Sequence, residues 1–179
     1  MSEQISVHNA YPELPEIEYK RTAIDMPSVI NYLNGLNFVA EIKRAVYVIF
    51  RNESGNGKSG VNNNYIGLQA DGARLGSQYD SMIAGTCVKN ENMTGKARRF
   101  VCLKEWQNSL DILIPKITGR GLYVGGLAHP YANLKVTDPT TFARAYWKEW
   151  VTGNGKSEPD KEFMDDIESM YNQAMNFFK

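Results

Sequence analysis

Hydrophobic positions recur at helical spacing between residues 38 and 53, in the most regular series of the chain. The intervals alternate between three and four residues, as on one face of an α-helix. They predict an amphipathic helix from Phe38 to Glu53, which ends before a stretch rich in Gly, Ser and Asn at residues 54–64. The predicted inner residues are Val39, Ile42, Val46 and Ile49.

Four further helices are predicted from their start signals and apolar spacing. A short one begins at residue 25 or 26, just before Pro27, and ends at Gly35. The next follows the segment RRFVCL, and Pro115 is expected to kink or shorten it. The last two open at Asp138 and at Ser157. The expected inner residues of these last three helices are Trp106, Leu110, Leu113 and Ile117; Phe142, Tyr146 and Trp150; and Phe163, Ile167, Met170, Ala174 and Phe177.

The β structure is expected to be small. Residues 86–103 are typical of a hairpin with KNENMTGK at its tip, and Tyr65–Gln69 is a candidate short strand. Residues 1–24 are polar and lack a sustained period, so they are predicted to form an extended arm before a single domain at residues 25–179. The expected fold class is therefore α+β, mainly α.

Charge and composition exclude several classes of protein. Acidic and basic residues balance at 20 each, so no global field would recruit nucleic acid or an anionic membrane. No apolar run is long enough to cross a bilayer, and the first residues lack a basic start followed by an apolar stretch. The protein is expected to be made in the cytoplasm without an export signal and not to insert into membranes.

The two cysteines and two histidines suggest no metal or nucleophilic chemistry. His8 and His129 have no ligand spacing, and no local Ser-His or Cys-His signature is present, so neither a metal nor another cofactor is expected. If the hairpin turns near Thr94, Cys87 and Cys102 lie opposite each other. They would form either a cross-strand disulfide or two reduced, half-buried thiols.

The pentapeptide GNGKS at residues 55–59 resembles part of a phosphate-binding loop but lacks its context. Asn52 stands where such a loop needs its first glycine, and a helix enters the segment where a strand should. A second GNGKS at residues 153–157 also lacks that glycine and is expected to be a loop between two helices. A nucleotide site is not predicted.

Glu53, just before the first GNGKS, is the stronger candidate for chemistry. It extends the apolar stripe of its helix, so its side chain is expected to face the core or a cleft rather than open water. Burial and the negative end of the helix dipole would both raise the pKa of such a carboxyl. A protonated Glu53 would serve as the general acid of a glycosidase, whereas the alternative is a solvated residue in a frayed last turn.

The residues after Glu53 favour the role of general acid. The segment ESGNGKS, followed by NNNYIGLQAD, resembles the signature of bacterial N-acetylglucosaminidases of glycoside hydrolase family 73, the flagellar-hydrolase and autolysin type. RRFVCLKEWQNSLDILI is similar to that family's strand leading into a helix that carries a serine, so the resemblance covers about residues 38–151. The matching residues are Glu53, Ser54, Gly55, Gly57, Lys58, Ser59, Asn63, Asn64, Ile66, Gly67 and Leu68.

The resemblance implies a lysozyme-like fold with a small β-hairpin lobe across a cleft from the catalytic helix. It also implies cleavage of the β-1,4 bond between N-acetylglucosamine and N-acetylmuramic acid in peptidoglycan, with Glu53 as the acid. The chain departs from the family near its end, where TGNGKSEPD replaces a run with a site tyrosine, and Tyr123 or Tyr65 would take that place. The other candidates for binding substrate are Ser54, Asn63 and Asn64.

Several alternatives stay open. Asp71, Asp80 or Glu91 would supply a second carboxylate, unless the N-acetyl group of the substrate acts as the nucleophile. IGLQ is similar to a strand of lytic transglycosylases, which would leave an anhydro sugar, and a catalytically silent virion or wall-binding protein of the same fold is the non-enzymatic alternative. The expected partner is the glycan strand of peptidoglycan, reached after phage lysis, virion delivery or specialised secretion.

Overall fold

A computed structural model of the protein describes residues 7–91 and 94–179. It is α+β and mainly helical, with small antiparallel sheets, so the predicted fold class is confirmed. The helices are α1 (Met26–Gly35), α2 (Ala40–Glu53), α3 (Gln107–Gly119), α4 (Pro139–Tyr146) and α5 (Lys161–Phe177). The strands are β1 (Arg21–Thr22), β2 (Gly60–Val61), β3 (Ile83–Asn90), β4 (Ala97–Leu103), β5 (Leu127–Ala128) and β6 (Leu134–Lys135).

The chain divides into two compact units, each built from two separate stretches. The first unit combines Glu53–Leu110 with the described residues up to Asp25. The second combines Met26–Asn52 with Asp111–Lys179. Glu53, the last residue of α2, is therefore the residue at which the chain enters the larger stretch of the first unit.

The first unit contains the predicted hairpin. β3 and β4 pair antiparallel, with an irregularity between Ile83 and Gly85. Residues 92–93 of the predicted tip lie outside the described residues. Tyr65–Gln69 does not form the predicted strand. The side-chain amide of Asn64 bonds the backbone of Ile66 and Leu68, and the segment pairs with β4 only through a bridge between Gln69 and Phe100. A two-residue ladder joins β1 to β2 instead.

The two cysteines are free, as in the second of the two alternatives, but they are fully rather than half buried. Cys87 pairs across the hairpin with Phe100, whereas Cys102 pairs with Gly85, so the expectation that the two lie directly opposite each other is wrong. Hydrogen bonding from Cys102 lowers the pKa of Cys87 and raises that of Cys102. The register is continuous from the Asn90–Ala97 pair to the Gly85–Cys102 pair, so the offset of the two cysteines is set at the turn of the hairpin and not by the irregularity near Ile83.

Residues 7–25 form no helix and belong to the first unit, with a turn in which the Leu14 amide donates to the Tyr11 carbonyl. Ala10 donates a backbone hydrogen bond to Ala70, and Ile17 donates one to Thr86. Tyr11 is fully buried. This arm thus contributes both backbone pairing and core packing to the unit.

The core of the second unit surrounds the later part of α2. Every residue from Ala45 to Phe50 is buried, so this part of the helix is enclosed on all sides rather than on one face. Val39 lies before the helix and is 58% exposed, which contradicts its predicted inner position. Phe177 is also exposed, because the buried stripe of α5 is Ile167, Tyr171 and Ala174 and is continued by Phe178.

The helix starts follow local side-chain chemistry. Asp138 caps α4 and forms a reciprocal capping box with Thr141, as its position before Pro139 predicts. The cap of α5 is Asp160, which accepts a hydrogen bond of 2.8 Å from the Phe163 amide, and not the predicted Ser157. Helix α3 continues four residues beyond Pro115 to Gly119, so Pro115 does not end it.

Candidate functional site

Glu53 occupies the last position of α2, where the sequence places it. Its side chain is exposed, so the prediction that the apolar stripe holds it against the core is wrong. The stripe ends one turn earlier, with the fully buried Ile49 and Phe50. Glu53 is therefore a carboxylate that an external ligand can reach.

The turn after Glu53 is clamped by Ser54. Ser54 is fully buried, and its Oγ accepts a hydrogen bond of 2.8 Å from the Gly57 amide. Its carbonyl oxygen accepts bonds of 3.0 Å from the amides of Lys58 and Ser59. These bonds satisfy backbone groups that the end of a helix otherwise leaves open. Ser54 thus fixes the path of the chain beside Glu53.

The middle of the same turn is left-handed. Gly55, Asn56 and Gly57 have φ angles of 56°, 59° and 78°. A Cβ at Gly57 would lie 2.1 Å from the Ile24 carbonyl oxygen, and the Ile24 amide donates a bond of 2.8 Å to the Gly57 carbonyl. Backbone geometry therefore favours glycine at both Gly55 and Gly57, and close contact with the arm adds a second requirement at Gly57 alone.

Arg21 on β1 holds the outer end of the turn. Its Nε donates a hydrogen bond of 2.9 Å to the Lys58 carbonyl, and its Nη2 donates one of 3.4 Å to the Ser59 Oγ. No sequence motif singled out Arg21, because it acts from the arm, far from the turn in sequence. Arg21 also lines a pocket with Ser59.

Three consecutive asparagines bind three different segments. The Asn62 Oδ1 accepts a bond from the Lys20 amide, and the Asn63 Nδ2 donates to the carbonyl oxygens of Leu103 and Lys104. Asn64 is buried and makes the largest set of bonds: its Nδ2 donates to Leu68 and Val101, and its Oδ1 accepts from Leu68 and Ile66. The side chains of Asn63 and Asn64, both candidates for binding substrate, thus hold the loop through these bonds.

Tyr65 is only 2% exposed, so its ring does not offer an open face to a substrate, contrary to its predicted place as the site tyrosine. Its amide donates a bond of 3.0 Å to the Ser109 Oγ, and that hydroxyl donates one of 2.8 Å to the Asn63 carbonyl. Burial raises the pKa of the Tyr65 phenol against the opposing effect of a hydrogen bond with Thr22. Ser109, the serine of the later motif, thus joins the loop to the start of α3.

The candidate second carboxylates are all held by arginines. Asp71 accepts bonds from Arg98 at 2.5 and 3.2 Å, and Glu91 accepts one from the same guanidinium at 3.2 Å. Burial alone would raise the pKa of Asp71, but the hydrogen bonds and charge of Arg98 outweigh it and lower that pKa. Asp80 is more exposed and lies 3.7 Å from Arg74. No candidate stands out by geometry as the partner of Glu53.

Tyr123 belongs to the second unit, whereas the other predicted site residues belong to the first. It is partly exposed, and its carbonyl oxygen accepts a bond from the Gly126 amide in the bend before β5. Within residues 7–91 and 94–179, no cluster of three or more His, Cys, Asp or Glu side chains is arranged to hold a metal ion. In the same part of the chain, no helix has the length and apolarity to cross a bilayer.

Comparison with known proteins gives one likeness. No family model matches the chain. No curated protein matches it either. Among solved structures, it is similar to a peptidoglycan hydrolase mutant from Sphingomonas sp. A1, with 16% sequence identity and a TM-score of 0.43, over 85% of this chain and 92% of that one. At that identity and TM-score, an activity for this chain has to be inferred from its own residues.

Proposed function

We propose that the protein cleaves the glycan strands of peptidoglycan, with Glu53 as the general acid. The observation that supports this role is an exposed carboxylate at the end of a helix, followed at once by a turn that Ser54 and Gly57 hold rigid. A general acid must be both reachable by the leaving oxygen and fixed in position. Glu53 is exposed, the bonds of Ser54 hold the backbone beside it, and the ESGNGKS motif around it resembles that of family 73 glycosidases.

The proposed reaction is hydrolysis of the β-1,4 bond between N-acetylglucosamine and N-acetylmuramic acid. A bound glycan strand would exclude water from the carboxyl of Glu53, and this exclusion favours the protonated form that donates to the leaving oxygen. A water molecule then completes the cleavage at the sugar carbon. Either one of Asp71, Asp80 and Glu91 or the substrate's own acetamide would stabilise the positive charge that develops there.

The central experiment is a turbidity assay on a suspension of purified cell walls. Wild-type protein is expected to clear the suspension, and Glu53→Gln is expected to lower the rate by at least about a hundredfold, since general acid catalysis contributes about that much. Glu105→Gln is the matched control, because Glu105 is an exposed glutamate of the same unit. Both variants should keep the wild-type circular dichroism spectrum and melting temperature.

Analysis of the released fragments by mass spectrometry separates the remaining alternatives. Hydrolysis leaves reducing sugar ends, whereas a lytic transglycosylase leaves an anhydro ring that lacks one water. Wild-type protein that binds walls but releases no sugar ends would show the non-enzymatic alternative instead. Full activity in Glu53→Gln would remove Glu53 from the mechanism. In the proposal the protein meets its substrate outside the cytoplasm, after lysis, virion delivery or specialised secretion.

A further inference from the structure

A small pocket in the first unit lies beside the turn after Glu53. It has a volume of about 150 Å³, which is enough for several water molecules or for a small polar group of a ligand. Its lining residues are Tyr19, Arg21, Ser59, Val61 and Lys89.

Three segments bring these residues together. Pairing of β1 with β2 sets Arg21 opposite Val61, which is buried and forms the apolar part of the lining. Ser59 comes from the end of the clamped turn, and Lys89 comes from β3. The pocket is thus lined by residues of two separate sheets, β1–β2 and β3–β4, and of the turn before β2.

The polar groups of the lining are positioned for a ligand of negative charge. Arg21 is oriented by its bonds to Lys58 and Ser59, and its guanidinium carries further N–H groups beyond the two used there. The Lys89 ammonium lies 5.6 Å from the centroid of the Tyr19 ring, a cation–π arrangement that places it at the pocket. Among the described residues, the polar lining consists of two cations and the hydroxyls of Tyr19 and Ser59, with no carboxylate side chain.

We propose that this pocket binds a carboxylate group, and that on the proposed substrate the group is a carboxylate of the peptide stems attached to the glycan. The assignment of the polymer rests on the proposed function; the preference for an anion rests on the pocket itself. An arginine with several parallel N–H groups suits the planar fork of a carboxylate. The balanced net charge of the chain fits recognition of one such group rather than of a polyanion.

The test uses a muramyl dipeptide and the same molecule with its free carboxyl amidated, with binding measured by isothermal titration calorimetry. Wild-type protein is expected to bind the acid about tenfold more tightly than the amide, as expected for a charge-assisted hydrogen bond. Lys89→Gln should remove most of this preference, and Lys89→Arg should restore it. Lys96→Gln is the matched control, because Lys96 is an exposed lysine of the same hairpin region outside the pocket.

Three results would overturn the proposal: equal affinity for acid and amide, an unchanged preference in Lys89→Gln, or tighter binding of inorganic phosphate than of the acid probe. The last would assign the pocket to phosphate. The muramyl dipeptide has no glycosidic bond between two sugars, so its binding is independent of cleavage. If the protein clears walls but binds the acid and amide forms of the dipeptide equally, only this inference is contradicted. If it prefers the acid form but does not clear walls, only the proposed activity is contradicted.

Discussion

At Gly57 a single missing side chain decides whether the turn beside Glu53 can form. The residue combines a left-handed backbone with contact against the Ile24 carbonyl, so two separate constraints meet at one position. Gly67 has a similar φ of 66°, but a Cβ added there would meet no heavy atom of the described residues within 4 Å. Substitutions at the two glycines therefore distinguish the effect of backbone strain from the effect of steric contact.

Gly57→Ala is expected to destabilise the protein more than Gly67→Ala. The left-handed backbone alone costs alanine about 1–2 kcal/mol, and Gly57→Ala must also move the arm at Ile24. Urea denaturation followed by circular dichroism measures both changes in the free energy of unfolding. An equal loss of unfolding free energy in the two variants would show that contact with Ile24 adds no constraint at Gly57.

At the same scale, the sequence located the motif but misjudged its side chains. Spacing correctly ended the helix at Glu53, because the glycines and asparagines after it cannot continue one. It could not show that the core stripe stops at Phe50 or that Tyr65 is buried. Those facts depend on which distant segments cover each residue, and Ser109 and Thr22 lie 44 and 43 residues from Tyr65 along the chain.

At the scale of elements, helices were predicted better than strands. Local start signals such as Asp138 before Pro139 act within one turn, so they can be recognised without knowledge of the tertiary fold. The two-residue strands depend on partners elsewhere: β1 exists because residues 60–61 pair with it. Residues 65–69 pair with β4 only through a bridge between Gln69 and Phe100, while the side chain of Asn64 bonds the backbone of Ile66 and Leu68.

Asp160→Ala is expected to lower the free energy of unfolding by about 1 kcal/mol, because it removes the cap of α5. Asp165→Ala in the same helix removes only an exposed ion pair with Lys161, which is worth about 0.3–0.5 kcal/mol. Thermal unfolding of both variants measures the difference. A larger loss in Asp165→Ala would show that the cap contributes little to α5.

The ion pair between Asp71 and Arg98 gives the first unit a defined response to acid. The pKa of Asp71 is lowered in the folded protein, so the pair stabilises the fold above the unfolded pKa of about 3.9. That contribution is lost as the pH falls through the lower, folded pKa. Asp71→Asn is expected to cost about 1–2 kcal/mol near neutral pH, a range suited to a partly exposed charged pair.

Urea unfolding of wild type and Asp71→Asn between pH 7 and about pH 2 tests this response. The gap in unfolding free energy between them should narrow on acidification below about pH 4. Asp166→Asn, at an exposed aspartate of the second unit, serves as the control and should show no comparable gap. A gap that stays constant across the range would contradict a role for the ionised Asp71 carboxylate.

At the scale of the whole molecule, the chain joins two units through repeated crossings. The periodic segments identified most of the helices, and they indicated the mainly helical fold class. They did not indicate that residues 7–25 pack with residues 53–110, because the arm has no period and is held by backbone bonds and Tyr11. Such pairing between distant segments leaves little trace in local sequence patterns.

The split of each unit between two stretches bears on biosynthesis and on proteolysis. A ribosome that has released only the first hundred residues has not yet supplied all of the first unit, and the second unit draws on chain up to Lys179. Neither unit is therefore supplied by one uninterrupted segment of the growing chain. For the same reason, a single protease cut at residue 25, 52 or 110 would not yield a fragment that contains one complete unit and nothing of the other.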